Sequence, residues 1–251
     1  MTPGFAKLRA ELPWLYYPRN DRVIINAHNF TPPYLYPSLR TILPVLGYYA
    51  RLDTGAAASD QFTTDGTQDG TLTNGVTRPD SSGLCYDFAS ASNQYILTAN
   101  SSALNNLAQM TVSFWFYAKK SWTVPESPVL IDKGTGSRSW YVQYFNSAIR
   151  FYFSDGGGYS GGTPTLDAWN HYCMSYDGAN VRIYLNGSLI STTAMTGNVS
   201  TGTEALNLGR YAGGSFNFNG RLDDVLIYPT GLNGTNVGYL AAQRGAIYAT
   251  A

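Results

Sequence analysis

Apolar and polar residues alternate with a period of two along much of the chain. The clearest case is "TVSFWFY", where Val112, Phe114 and Phe116 fall on one face, and "VRIYLNG" repeats the pattern. Successive side chains of an extended strand point to opposite faces, so this alternation predicts half-buried β-strands. Further strand candidates follow at short, even intervals: "GLCYDF", "QYILT", "PVLIDKG", "SWYVQYF", "AIRFYFS", "WNHYCMSYD", "ALNLGRY" and "RLDDVLIY". Gly, Asn, Asp and Pro, the residues that suit tight turns, separate them. The pattern predicts an all-β fold, two antiparallel sheets packed as a sandwich or jelly roll, rather than a helix-bearing parallel sheet. Only "TNVGYLAAQRG" reads as helical, a short C-terminal helix with Thr235 as N-cap and Gly245 beyond its end.

Residues 1–46 break the alternation. Seven of the twelve prolines lie here, interleaved with Trp14, Tyr16, Tyr17, Phe30, Tyr34 and Tyr36. Proline removes ladder donors and breaks helices, so this segment cannot build a regular core of its own and reads as an extended arm. A sandwich domain is expected over residues 47–251. The arm carries five cations against two anions, a net of +3, within a chain whose formal charge is zero. Zero net charge gives no electrostatic case for nucleic acid or an anionic membrane. No apolar run approaches the ~20 residues needed to span a bilayer. The opening "MTPGFAKLRAELPWLYYPRND" lacks the apolar stretch and small-residue cleavage site of a secretory signal, so no signal peptide is expected.

The order of motifs resembles the laminin G-like, concanavalin A-like jelly rolls. "YYARLD", "ASDQFTTDGTQDGTLTNGV" and "GLCYDFASASNQYI" are similar to the family's first strands and loops. "MTVSFWFYAKK", "DAWNHYCMSYDGANVRIYLNGSLI" and "NGRLDDVLIYPTGLNGTNVGYLAAQRG" follow in the family's order. The resemblance implies a concanavalin A-like fold, with glycan binding and structural calcium as its expected chemistry. The arm has no counterpart in it.

Candidate catalytic groups are few. Some relatives on this sandwich are glycoside hydrolases, which need two carboxylates about 5–5.5 Å apart. The three glutamates, Glu11, Glu126 and Glu204, lie far apart along the chain, so no catalytic residues are assigned and no enzyme is expected. "GYSGG" matches a serine-hydrolase elbow as a string, but no strand–helix frame surrounds it, and it reads as a loop. His28 and His171 are too isolated for a zinc site; His171, inside a strand, reads as a satisfied core residue. Cys85 and Cys173 each sit in an apolar strand pattern, which predicts buried small residues, with one inter-sheet disulfide as the alternative.

The adjacent Asp223 and Asp224 open a strand. By strict alternation they point to opposite faces, which excludes a catalytic dyad. Asp223 then shares a face with Val225 and Ile227 and begins the inward row, where a carboxylate needs a partner. The resemblance implies a structural calcium shared by Asp223 and Asp60; a hydrogen-bonded turn aspartate is the alternative. Glycan contacts are expected from aromatics at strand ends or in loops, namely Trp122, Trp140, Tyr159 and Tyr211.

Two functional readings follow. The first is a non-catalytic structural or adhesive component of a larger assembly, such as a phage-like virion decoration or fibre protein. Residues 1–46 would anchor it to a capsid-like or homo-oligomeric partner, and the jelly roll would meet a cell-surface glycan. The second is a secreted, calcium-stabilised carbohydrate-binding module at the extracellular surface.

Overall fold

The computed structural model describes residues 48–51, 57–60, 70–76, 85–119, 127–134, 139–153, 157–199, 202–242 and 244. The arm assigned to residues 1–46, and Gly245, lie outside the described residues. In chain order the strands are β1 (Tyr48–Arg51), β2 (Ala57–Asp60), β3 (Gly70–Thr73), β4 (Tyr86–Phe88) and β5 (Tyr95–Thr98). Next come β6 (Met110–Ala118), β7 (Val129–Asp132), β8 (Trp140–Phe145), β9 (Ala148–Phe153) and β10 (Gly158–Ser160). The remainder are β11 (Ala168–Tyr176), β12 (Asn180–Leu185), β13 (Ser188–Ala194), β14 (Leu206–Leu208) and β15 (Gly220–Tyr228), followed by helix α1 (Gly234–Ala242).

One antiparallel sheet runs β1-β15-β6-β11-β12-β13, with β4 beside β1 along the same edge of β15. The other runs β10-β9-β8-β7-β14-β5-β3. Between them β2 pairs with β1 on one side and β3 on the other. The fold is the expected all-β jelly-roll sandwich with a short helix near its C-terminal end.

The inner faces follow the alternation. Val112, Phe114 and Phe116 of β6 are wholly buried and meet Trp140, Val142 and Tyr144 of β8 and Ile149, Phe151 and Phe153 of β9 in one core. Each such side chain contributes roughly 1.5–3 kcal/mol through removal from water. Cys85 and Cys173 are both buried and unbridged.

Two-residue hairpins set the registers. Asn186 and Gly187 join β12 to β13 with φ of 51° and 78°, and Asn146 and Ser147 join β8 to β9 with φ of 50° and 60°. Positive φ at both central residues matches the twist of the flanking strands, so each turn fixes which residues stand opposite one another.

Helix α1 covers the outer face of the first sheet. It buries Val237 and Leu240, and Trp115 Nε1 donates to the Leu240 carbonyl at 3.3 Å. Its N-cap is Asn233, whose Oδ1 accepts from the Asn236 amide at 3.0 Å, rather than the expected Thr235, which lies inside the first turn. "GYSGG" also departs from expectation: Gly158–Ser160 is an edge strand paired to β9, not a loop.

Gly209, just after β14, takes φ of +90°, and a Cβ there would meet the Phe88 ring at 2.6 Å. Gly209→Ala combines a left-handed backbone with a core clash, each worth roughly 1–3 kcal/mol. A drop in urea stability of about 2–4 kcal/mol is expected, and an unchanged denaturation midpoint would show that the Phe88 ring yields without cost.

Candidate functional site

The paired aspartates sit at an irregularity. Asp223 pairs with Trp115 and Leu226 with Ser113, so β15 carries one more residue than β6 between these rungs. Asp224 takes φ of 44° at this bulge. An extra residue resets the alternation. Leu222, Val225 and Ile227 therefore point into the core, whereas Asp223 lies on the outer side with Trp115, near α1. The expectation that Asp223 begins the inward row is corrected by the bulge.

Asp223 Oδ1 accepts from the Asp224 amide and Oδ2 from the Arg244 guanidinium, both at 2.8 Å. Arg244 also lies 4.0 Å over the Trp169 ring. Burial, and after it the neighbouring Asp224 carboxylate, pushes the Asp223 carboxyl up to about 8, while Arg244 pulls the other way. The guanidinium does not win because it is itself partly solvated, with 27% of its side chain exposed.

The same geometry tests the calcium expectation. The carboxylate oxygen that would ligate the ion is bonded to Arg244, and a guanidinium and a divalent cation repel each other at one oxygen. Asp60 ends β2 with its Cα opposite Ala50, and its side chain lies outside the described residues. Among the described residues no three His, Cys, Asp or Glu side chains converge. The two oxygens of Asp223 are thus taken by a backbone amide and a guanidinium.

His171 lies on the same outer side, opposite Trp115. Its Nε2 is 2.9 Å from Ser113 Oγ, while Nδ1 is buried with no hydrogen-bond partner, so the ring is only half satisfied. Burial drives its pKa down to about 3. This neutral, covered Ser–His contact has no solvent access from which a substrate could approach it.

The outer face of the second sheet is built differently. On β8, Trp140, Val142 and Tyr144 point inward, which leaves Tyr141, Gln143 and Phe145 on the other side. The β8–β9 hairpin sets Tyr141 opposite Tyr152 and Gln143 opposite Arg150. The two tyrosine rings stack at 4.9 Å and 13°. Tyr211 stands edge-on to Tyr141 at 6.0 Å and to Phe216 at 6.3 Å. With Ser127, Val129, Gln143 and Phe145, these side chains line a groove of about 360 Å³. That volume suits a small ligand.

The loop that carries Tyr211 and Phe216 is anchored by Asp132. This wholly buried carboxylate accepts from the Gly134 amide at 2.8 Å and the Ala212 amide at 2.5 Å. Burial raises its pKa to about 6, against the lowering effect of those two bonds. The Phe216 carbonyl accepts from the Val129 amide at 2.8 Å. Phe216 itself holds φ of 53° and is 52% exposed. A bulky residue in the left-handed region costs about 1–2 kcal/mol, and strain of this kind gathers at binding sites. Gln143 Nε2 donates to the Ser127 carbonyl at 2.8 Å, which turns its amide oxygen into a fixed acceptor.

Of the aromatics expected to meet a glycan, Tyr211 lines the groove. Tyr159 is half-buried, packed on the core and edge-on to Phe153 at 5.9 Å. Trp140 is corrected: it is 1% exposed and stacks on Phe151 inside the core, because it occupies an inward position of β8. Trp122 lies outside the described residues. The groove residues not anticipated, Ser127, Val129, Tyr141, Gln143, Phe145 and Phe216, include three from "SWYVQYF". Alternation already grouped those three, and Gln143 marked their side as the one facing water.

Comparison with known proteins gives a family and a set of structural neighbours. The family model described as the concanavalin A-like lectin/glucanases superfamily, Laminin_G_3, matches residues 90–238. No curated protein matches the sequence. A structure of botulinum neurotoxin type C, which depends on interaction with two ganglioside molecules to enter cells, aligns with a TM-score of 0.65 at 14% identity over 82% of this chain and 52% of that one. The binding domain of botulinum neurotoxin DC in complex with rat synaptotagmin II aligns at 0.63 and 14% over 79% and 51%. The serotype G binding domain aligns at 0.61 and 14% over 78% and 50%. The chain thus spans about half the length of these structures, and the likeness is one of fold.

The raised Asp223 carboxyl has a signature in solution. A folded-state pKa above the unfolded value means that the site's stabilisation is complete at low pH and is lost as pH rises through about 8. His171 acts in the opposite sense, losing stability only as pH falls from its usual value toward about 3. Asp132, raised to about 6, is largely titrated by neutral pH. Between pH 6.5 and 8.5 the urea midpoint should therefore fall for the parent and stay flat for Asp223→Asn. Parallel curves for the two proteins would assign the titration to another group.

Proposed function

We propose that this chain, which belongs to the concanavalin A-like lectin/glucanases superfamily, is a non-catalytic carbohydrate-binding module whose ligand occupies the groove on the outer face of β7–β9. One observation carries the reading: ring faces and edges from Tyr141, Tyr211 and Phe216 surround fixed polar groups on Gln143 and Ser127. A pyranose has apolar C–H faces and a polar hydroxyl rim, and this combination of flat aromatics with a few oriented acceptors matches both. The loop anchored by Asp132 holds two of the rings in place before a ligand arrives, which lowers the entropy cost of binding.

The absence of a catalytic role is supported by how the described carboxylates are used. Asp132 and Asp223 are buried and bonded to backbone amides or a guanidinium. Glu204 takes a hydrogen bond from Ser139 and presents its carbonyl to Lys133. The botulinum neighbours offer a precedent for a sandwich of this shape within a receptor-binding protein, without transferring their receptors to this chain.

A second reading sets the module within a larger assembly, as a decoration or fibre protein on a virion or other extracellular surface. It rests on the sequence alone: the proline- and aromatic-rich residues 1–46 have the composition of an attachment arm.

Immobilised neutral and acidic oligosaccharides, screened with the full chain, test the first reading. Binding is expected, and Tyr141→Ala or Tyr211→Ala should each weaken it by about tenfold or more, the usual effect of truncating an aromatic anchor. Melting temperatures of the variants should remain within a few degrees of the parent. Retained affinity in the Tyr141→Ala/Tyr211→Ala double variant would move the ligand elsewhere, and no binding to any saccharide would remove the proposal.

A further inference from the structure

We infer that the groove selects saccharides that carry a carboxylate, and that Arg150 is the residue that reads this charge. The inference rests on the carbohydrate-binding reading given above and adds the chemical class of the ligand. Its starting point is the rung that crosses the outer face. Val129 stands opposite Gln143, Gln143 opposite Arg150, and Arg150 opposite Ser160. Residues directly opposite on an antiparallel pair have Cβ atoms about 4.5–5.5 Å apart on the same side. Arg150 is therefore the immediate neighbour of a groove-lining residue. Its guanidinium carbon lies 5.8 Å from the centroid of the Phe145 ring, a second groove residue, which places the cation beside the groove.

The charge on Arg150 also has no carboxylate to balance it among the described residues; its guanidinium bonds the neutral Tyr152 hydroxyl. Among the described residues, Lys119 and Arg221 both pair with Asp87, Arg182 pairs with Asp177, and Arg244 pairs with Asp223. Lys133 is held by Asn100, Asn105 and the Glu204 carbonyl. Arg210 lies against the Tyr95 ring at 3.3 Å. Arg150 has no carboxylate partner among the described residues, and its Nε is buried without a hydrogen-bond partner. A buried donor with no acceptor costs free energy that an incoming acceptor recovers, and a planar guanidinium fits a carboxylate with two parallel bonds. Burial raises the Tyr141 and Tyr152 hydroxyls, and the Arg150 guanidinium, hydrogen-bonded to Tyr152, works against that rise, so the phenol beside the cation is neutral and leaves its charge unbalanced.

A ligand that fits both features stacks a sugar ring among Tyr141, Tyr211 and Phe216 and directs its carboxylate across Gln143 toward Arg150. Sialic acids and uronic acids share this chemistry, and the test separates them. Titration calorimetry with the full chain would compare 3′-sialyllactose with lactose, and a glucuronate-terminated disaccharide with its glucose-terminated counterpart. One charge-assisted contact corresponds to about a tenfold or greater preference for the acidic member of at least one pair. That preference should weaken as salt is raised from 50 to 500 mM, because screening acts on a partly exposed pair. The acid-to-neutral affinity ratio should fall to about one in Arg150→Gln and be largely kept in Arg150→Lys. Equal affinity for both members of each pair, or a ratio unchanged in Arg150→Gln, overturns the role of Arg150 while leaving the groove as a carbohydrate site. Binding of none of the four sugars, with the protein folded by melting curve, overturns the role of Arg150 and the groove reading together.

Discussion

The carboxylate of Asp132 holds two separate stretches of backbone, and the shape of the groove depends on it. One oxygen takes the amide of Gly134, at the end of its own strand; the other takes the amide of Ala212, in the loop after β14. Both amides find their acceptor in this one side chain, so its loss would leave the buried Gly134 donor without one. The interaction is costly as well as necessary, since burial pushes the carboxyl up to about 6 despite both bonds. Its return is geometric. Tyr211 is fixed one residue before the anchored amide, and Phe216 is fixed by its own carbonyl to the Val129 amide. The left-handed Phe216 backbone is tolerated because both ends of its loop are already held.

The two outer faces of the sandwich have been put to opposite uses. On the first sheet, α1 closes over Trp115, and His171, Ser113 and Asp223 sit covered beside it. There Ser113 and His171 bond to each other, Asp223 bonds to Arg244 and the Asp224 amide, and the His171 Nδ1 has no hydrogen-bond partner. On the second sheet no helix intervenes among the described residues, and Tyr141, Gln143 and Phe145 line an open groove. Among the described residues, the placement of α1 thus covers one outer face of the sandwich and leaves the groove on the other.

Much of this was legible in the sequence, and the failures have local causes. Alternation in "TVSFWFY" assigned Val112, Phe114 and Phe116 to one face, and all three are in the core. The same rule misassigned Asp223, because a bulge inserts a residue without any change in residue type that a pattern could register. Trp140 was expected at a surface because it begins a strand. Strand position does not reveal which face is inward, and here the larger indole took the core while the smaller Tyr141 faced out. The helix began at Asn233 rather than Thr235, since both are good caps and only the approach of the chain selects between them. Arg150 gave no signal at all, because its meaning lies in the acidic partner it lacks among the described residues.

The position of β15 has a consequence for how the molecule is made. This strand is the last in chain order among the described residues, yet it is interior to its sheet, bonded to β6 on one side and to β1 and β4 on the other. Until residues 220–228 leave the ribosome, β6 and β1 have no common neighbour, and both present open edges. Each such edge can accept a strand from another nascent chain. The first sheet is therefore completed only after translation has supplied β15, and a ribosome that stalls before Gly220 leaves a polypeptide in which β6 and β1 are not joined.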